Sequence, residues 1–458
     1  MTANEPPNHA AQRVDGKLRP LIEKIKASET GIAAILAGSM IMTNVVALVT
    51  TIAFGRLLEE SGYGELSAIL ASFIILSVPG AALQVATARE GALGRLGDGG
   101  QFSNTLARWT RALMAVTISV AGISVVLRFQ LADVIGVNQE WAAAAVPPAA
   151  CVWILLSIQR GALQATRAYL TVGISMIAEQ TARLLLGVGL AYAGLGVTGA
   201  YLGTPLAMVV TAGVLGMVLQ SRLGARDRDT QPRGLRQLAL DARTAIGGLA
   251  LIAILQNIDL IVAQHRFDKA TAGTYAQVAV AAKVVVWVAI GIGFYLLPEA
   301  ARKHSENEDA RPVLLKALAM TGAVAAPCLL IYSFAPNLLL KLAFGPKYSG
   351  NGGQALFELG AAMALLSVCY LAVQLLLALG ESKFLIGLAI IAIAEPVALL
   401  TIPGENDING FATTVLVIQA IAASGALIAA YRASAAPPES LPERGSSAVQ
   451  TPNRATST

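Results

Sequence analysis

Uncharged or nearly uncharged stretches recur along this chain from Thr30 to Tyr431, each of about 20 residues, the length a helix needs to cross ~30 Å of hydrocarbon. The pattern predicts twelve transmembrane helices, at 31–54, 65–87, 109–127, 141–158, 169–193, 198–220, 244–264, 273–297, 314–334, 354–379, 384–402 and 409–431. Polar positions inside these stretches are few and ordered. In the first, Ser39, Thr43 and Thr50, with Asn44 beside them, make a polar stripe that either glues helices together or lines a cavity. The second is interrupted by Pro79-Gly80 and ends at Gln84 and Arg89.

One stretch, Ala162 to Glu179 (ALQATRAYLTVGISMIAE), is echoed by Ala378 to Glu395 (ALGESKFLIGLAIIAIAE), with every matched position offset by 216. In both, Ala-Leu is followed by a hydroxyl residue and a cation (Thr166-Arg167, Ser382-Lys383), and a glutamate stands twelve positions after the cation. Two weaker echoes follow the same order. Arg56 to Glu65 (RLLEESGYGE) resembles Arg266 to Ala276 (RFDKATAGTYA), and Thr198-Gly199-Ala200 resembles Asn409-Gly410-Phe411. Three ordered echoes predict an internal duplication, hence an all-α membrane protein of two pseudo-symmetric six-helix lobes. The expected organisation is a basic arm at 1–30, an N-lobe at 31–220, a charge-dense linker at 221–243, a C-lobe at 244–431 and a disordered tail at 432–458, rich in Pro, Ser and Thr with no apolar face to bury.

Composition agrees. Of 458 residues 55% are hydrophobic and 13% charged, and the mean hydropathy of +0.64 is too high for a water-soluble domain. The arm lacks the apolar core and cleavage site of a signal peptide. With the N-terminus inside, the inner segments hold 25 of the 33 cations and the outer segments 6, with Arg183 and Lys283 inside spans. That asymmetry predicts both termini in the cytoplasm. It also means that the net charge of +5 serves orientation and does not call for nucleic acid. Cys151, Cys328 and Cys369 lie within spans without ligand spacing, and read as packing residues.

The charges inside the spans carry the chemistry, since each costs ~3 kcal/mol near the bilayer centre and needs a partner or water. Glu179 lies ten residues beyond Tyr169, about 15 Å along its helix, and Glu395 is placed similarly. Thr171, Ser175, Glu179 and Arg183 recur every four residues, which predicts one polar stripe and a Glu179–Arg183 ion pair. Counting inward from the same end, Asp259 and Lys283 fall close enough for a second pair. Glu395 precedes Pro396, which predicts a break or kink there; broken helices with mid-membrane polar groups are the device of alternating-access transporters. For each pair, structural neutralisation stands beside function.

Nothing in the sequence supports enzymatic chemistry, a metal or another cofactor. His9, His265 and His304 are scattered, no phosphate-binding loop is present, and GLGVTG at 194–199 has no strand before it.

The stretches GRLLEESGYGELSA, NIDLIVAQHRFDKATAGTYAQVAVAAK and FYLLPEAAR resemble the polysaccharide-flippase branch of the superfamily that also holds the multidrug (MATE) exporters and lipid II flippases. The resemblance spans nearly all of 30–431. It implies two six-helix lobes in a V around a central cavity, moving lipid-linked oligosaccharides across the bacterial cytoplasmic membrane by alternating access with ion or potential coupling. In such proteins the cavity is often cationic. The matching positions here are Arg89, Arg183 and Lys283, with Asn257 and Asp259 as the family's polar pair; Asn44 and Gln84 complete the expected substrate contacts, and Glu179, Asp259 and Glu395 the ion-coupling set. Those three carboxylates nearly balance the cations, which departs from a strongly cationic cavity. The implied partners are a lipid-linked glycan, membrane lipids, and envelope glycosyltransferases or a polymerase. A drug or small-cation antiporter of the same fold, and a non-transporting scaffold for envelope enzymes, are the alternatives.

Overall fold

The structure, a computed structural model, describes residues 29–435 apart from 98, 226, 228–233, 307 and 346–352. Most of the expected arm and tail, and Arg226, Arg228 and Arg233 of the linker, lie outside the described residues.

The chain is nearly all helix. The N-lobe comprises α1 (Glu29–Leu57), α2 (Glu60–Ala92), α3 (Gly100–Val126), the short α4 (Arg128–Ile135), α5 (Glu140–Ala165), α6 (Tyr169–Leu190) and α7 (Gly196–Leu223). A seven-residue helix, α8 (Leu235–Asp241), sits inside the expected linker with Leu238 buried. The C-lobe comprises α9 (Arg243–Arg266), α10 (Lys269–Ala282), α11 (Val284–Ser305), α12 (Arg311–Phe334), the short α13 (Pro336–Phe344), α14 (Gly353–Ala378), α15 (Phe384–Thr401) and α16 (Ile408–Ala435). All twelve predicted spans coincide with helices, several of which run past the apolar window, as α3 and α5 do.

Eleven helical runs among the described residues are long and apolar enough to cross a membrane, one of them the 55 residues Tyr169–Leu223. Straight, that run would measure about 80 Å. It is instead a hairpin. The chain turns through a short π-helical segment, Ala191–Leu195, where Gly194 takes φ +96°, and Gly196 follows at φ +50°. α6 and α7 then pack backbone to backbone: a Cβ on Gly203 would stand 2.3 Å from the Gly187 nitrogen. Small residues allow this approach, and in lipid such packing is the main force between helices. Exposed apolar side chains such as Ile118, Leu185, Val210 and Ile393 form the lipid face.

The expected break at Pro396 is absent. α15 runs unbroken through Glu395 and Pro396, and α2 through Pro79 and Gly80. A proline removes one backbone donor, a loss that a helix packed on its neighbours absorbs. The stretch predicted as one span departs from regular helix at Lys283 alone, between the end of α10 at Ala282 and the start of α11 at Val284; its φ −68° and ψ −11° stay right-handed and its N–H is shared between the Ala279 and Val280 carbonyls.

The lobes meet at the end that carries the α1–α2 and α9–α10 turns. Gly64 of α2 and Gly273 of α10 touch, and a Cβ on Gly273 would lie 2.1 Å from the Glu60 carbonyl oxygen. On either side of that contact the short helix of each lobe docks on the first span of the other. Arg56, at the end of α1, donates to the last carbonyls of α13, at 2.7 Å to Leu342 and 3.3 Å to Ala343, and the Phe344 ring covers Gly55 and stacks edge-on with Tyr63. His265, at the end of α9, reaches the Val134 carbonyl in the last turn of α4 through Nε2 at 3.1 Å, so that nitrogen carries the hydrogen. The duplicated sequence is thus expressed as two reciprocal caps.

The α9–α10 turn is fixed by Asp268, whose carboxylate accepts from the Ala270 and Thr271 N–H groups and the Thr271 hydroxyl. These donors, the Thr271 N–H first, hold its carboxyl below its ordinary 3.8. A depressed carboxyl stabilises the fold above its ordinary value and loses that contribution as pH falls through and below it. Asp268→Ala is expected to cost about 1 kcal/mol as a lost N-cap. The thermal midpoint in detergent should fall at pH 7, and the gap to the parent should close on acidification below about pH 4.

Candidate functional site

Each lobe buries one cluster of charged side chains. In the N-lobe, α5 and α6 are joined by the turn at 166–168, where Arg167 takes φ +56°, so the end of α5 lies against α6. The four-residue stripe on α6 faces Arg160 of α5. Arg160 donates from Nε to the Ser175 hydroxyl (3.1 Å) and from one terminal nitrogen to the Ser175 carbonyl (3.1 Å) and Glu179 Oε2 (2.7 Å). Glu179 Oε1 accepts from Arg183, the predicted ion pair one helical turn on. Arg160 and Glu179 are each 3% exposed, while the Arg183 side chain is 16% exposed and its Nε has no partner. Both guanidiniums lie over the Trp153 ring, at 5.8 and 5.6 Å, and Arg183 also faces Phe73 at 6.0 Å, contacts that favour a cation. Trp153 and Ser157 in turn press on Gly80 of α2, where a side chain would collide with both. The cluster holds two guanidiniums against one carboxylate.

In the C-lobe the balance reverses. Asp259 of α9 accepts from the Tyr275 hydroxyl at 2.8 Å through Oδ2; its Oδ1 lies 3.9 Å from Lys283 Nζ and has no hydrogen-bond donor. Lys283, held at the α10–α11 junction, donates to Asn257 Oδ1 at 3.1 Å. The predicted Asp259–Lys283 pair is therefore formed, with Asn257 as the closer contact. Glu395 of α15 is 0% exposed and accepts from Gln419 of α16 at 3.2 Å through Oε1, while Oε2 has no partner. The same Gln419 nitrogen donates to the Leu255 carbonyl of α9 at 2.8 Å. Asp259 and Lys283 are both electrostatic neighbours of Glu395. Two carboxylates here stand against one ammonium.

The 216-residue echo explains the contrast. Glu179 and Glu395 occupy matching buried positions, but Leu376 and Leu399 stand where Arg160 and Arg183 stand in the N-lobe. The duplicated carboxylate has thus kept its guanidinium clamp in one lobe and holds an amide in the other.

Of the sequence-derived site residues, Arg183 and Glu179 come together in the first cluster, and Lys283, Asn257, Asp259 and Glu395 in the second. Arg89 and Asn44 are exposed and Gln84 is half-buried; these three join neither cluster. The hydroxyl stripe of α1 is satisfied within its own helix, Thr43 bonding the Ser39 carbonyl and Thr50 the Val46 carbonyl. By sequence Arg160 falls just past the end of the predicted span 141–158, among the inner cations, and no local signal marks Tyr275 or Gln419. The signal for Arg160 was its place at the end of an apolar run facing a stripe short of a partner. Among the described residues no group of His, Cys, Asp or Glu is arranged to hold a metal ion.

No protein-family model and no curated protein matches the chain. Solved structures do. A multidrug resistance MATE family transporter of the MOP superfamily, in an inward-facing conformation, superposes with a TM-score of 0.68 at 16% identity over 88% of this chain and 98% of its own. The outward-facing conformation of such a transporter gives 0.60 at 15% identity, with 90% and 98% covered. A MOP superfamily transporter from Pyrococcus furiosus, described as having a binding pocket of reverse polarity that suggests a different function, gives 0.63 at 15% identity with the same coverage. This chain has the MOP transporter fold. In this fold the two lobes each contribute six spans, which places one charged cluster in each half of the chain.

Proposed function

We propose that the protein is an alternating-access transporter of the bacterial cytoplasmic membrane that moves an amphiphile with an anionic head group, a lipid-linked oligosaccharide or polysaccharide precursor, with ion or potential coupling. Both termini and the basic linker lie on the cytoplasmic side in this reading. The observation that carries it is the uneven charge of the two clusters. The N-lobe holds one cation in excess, Arg160 and Arg183 against Glu179, beside an aromatic surface suited to a sugar or isoprenoid face. The C-lobe holds one carboxylate in excess, Asp259 and Glu395 against Lys283. Substrate phosphate belongs with the first, and protons or cations with the second. Glu395, whose Oε2 is unpartnered, is the carboxyl best placed to take them.

The second reading is a multidrug or small-cation antiporter. It is favoured by the same C-lobe carboxylates and by the multidrug transporters that share the fold. One experiment separates them. A labelled lipid-linked oligosaccharide and a cationic dye are each followed in proteoliposomes with and without an imposed pH gradient, for the parent, Glu395→Gln and Lys283→Ala. Gradient-dependent flipping of the glycolipid that fails in both variants supports the first reading; gradient-dependent dye efflux with an immobile glycolipid supports the second.

A further inference from the structure

We propose that Arg160 is a positioning residue that makes the N-lobe cluster an exchange site: a phosphate or carboxylate on the substrate takes the Arg183 contact from Glu179, and Arg160 keeps Glu179 neutralised while it does so. This rests on the transporter reading above, and names the group that the N-lobe selects and the residue that makes selection possible.

The geometry divides the labour between the two guanidiniums. Arg160 is spent on the protein. Two of its three nitrogens are engaged with Ser175 and Glu179, and it is 3% exposed, so little of it is open to a ligand. Arg183 is the reverse. It makes one bond, to Glu179, its buried Nε has no partner, and at 16% its side chain is the most exposed of the three. The Trp153 and Phe73 ring centres lie 5.6 and 6.0 Å from its guanidinium carbon, and a planar guanidinium released from its carboxylate suits two oxygens of one anion.

Glu179 offers a different oxygen to each arginine, Oε2 to Arg160 and Oε1 to Arg183. Release of Oε1 therefore leaves the carboxylate still paired. Without Arg160, any anion taking Arg183 would strand a buried, unpaired carboxylate, which is the expensive state for an ion in a low-dielectric interior. With Arg160, an incoming monoanion brings the cluster from one positive charge to neutral. The C-lobe copy supports the assignment by contrast. With Leu376 and Leu399 at the equivalent positions, Glu395 has no guanidinium to hold or to release.

The test is binding of a labelled polyprenyl phosphate, the matching neutral polyprenol and inorganic pyrophosphate to the full-length protein in nanodiscs. The parent is expected to prefer the polyprenyl phosphate to the alcohol. Arg160→Gln should weaken phosphate binding on the order of tenfold or more, as Arg183→Gln does, although Arg160 is buried behind Glu179. Arg160→Lys should restore part of it. Glu179→Gln should tighten binding by freeing Arg183, and the double variant Arg160→Gln/Glu179→Gln should bind at least as well as the parent, because no carboxylate is left to strand. That rescue is the signature that a role in folding alone would not give. Parent-like affinity in Arg160→Gln, or no recovery in the double variant, overturns the proposal. Competition by pyrophosphate alone would show that the head group suffices; its failure beside tight polyprenyl phosphate would show that the apolar chain shares in recognition. If the parent moves a cationic dye but does not discriminate phosphate from alcohol, the exchange site is overturned and a transporter remains. If the rescue is observed but no substrate moves in proteoliposomes, the transporter reading fails and the anion site stands.

Discussion

Gly273→Val is expected to hold the lobes apart at the end where they now meet and, on the function proposed above, to stop transport without unfolding the protein. The Cβ of any residue at 273 would stand 2.1 Å from the Glu60 carbonyl oxygen and 2.4 Å from its carbon. Both are backbone atoms in the first turn of α2, so no rotamer change relieves the collision. The contact joins two rigid lobes, and the cheapest relaxation is for one to swing away from the other. If the clash costs about 3 kcal/mol, as overpacking of a tight contact does, it shifts a two-state equilibrium by roughly a hundredfold. The neighbouring docks, Arg56 and Phe344 between α1 and α13 and His265 on α4, are made by side chains that can follow the movement. Spin labels at the exposed positions Phe129 and Glu405, one in each lobe, should report a longer distance in Gly273→Val than in the parent, and transport should be lost. An unchanged distance distribution together with parent-like transport would remove this contact from the working cycle. Gly273→Ala should act in the same direction, because the β-carbon alone makes the collision.

That contact was half visible in the sequence. The echo of RLLEESGYGE in RFDKATAGTYA placed two glycine-bearing turns at one end of the molecule, but that Gly64 and Gly273 meet across the lobe boundary is a fact of tertiary packing, which local pattern does not encode. The spans were legible because a bilayer demands long apolar runs, and Glu179–Arg183 because four residues make one helical turn. Asp259–Lys283 was legible because depth can be counted from a common end. Arg160 was not, since its position near the end of an apolar run matched the arginines that orient loops, and burial alone distinguishes the two. Tyr275 and Gln419 were hidden for another reason: neutral polar residues scatter through every span, and the partner that makes one of them matter lies on a different helix. Proline misled. It signalled a break at Pro396 that packing absorbs, while the departure from regular helix at Lys283 lies in an apolar stretch with no proline or glycine beside it.

Removing either partner of the Asp259–Lys283 pair is expected to destabilise the protein by about 3–5 kcal/mol, and removing both by far less, because a buried charge is costly when it is left alone. The two single variants should differ. Lys283→Met leaves Asp259 with the Tyr275 hydroxyl as its remaining support, and leaves two buried carboxylates, Asp259 and Glu395, without the ammonium that stands near both. Asp259→Asn leaves Lys283 its bond to Asn257 and its attraction to Glu395. Lys283→Met should therefore be the more damaging, and Asp259→Asn/Lys283→Met should recover most of the thermal stability in detergent, with a coupling energy of about 2 kcal/mol or more. Lys283→Met no worse than Asp259→Asn would show that Glu395 does not feel the ammonium. The same cycle decides between neutralisation and function when transport is measured beside stability. A double variant that is again stable and still transports under a gradient would make the pair structural. A double variant that is stable but no longer responds to the gradient would mean that the charge pair itself is worked during the cycle.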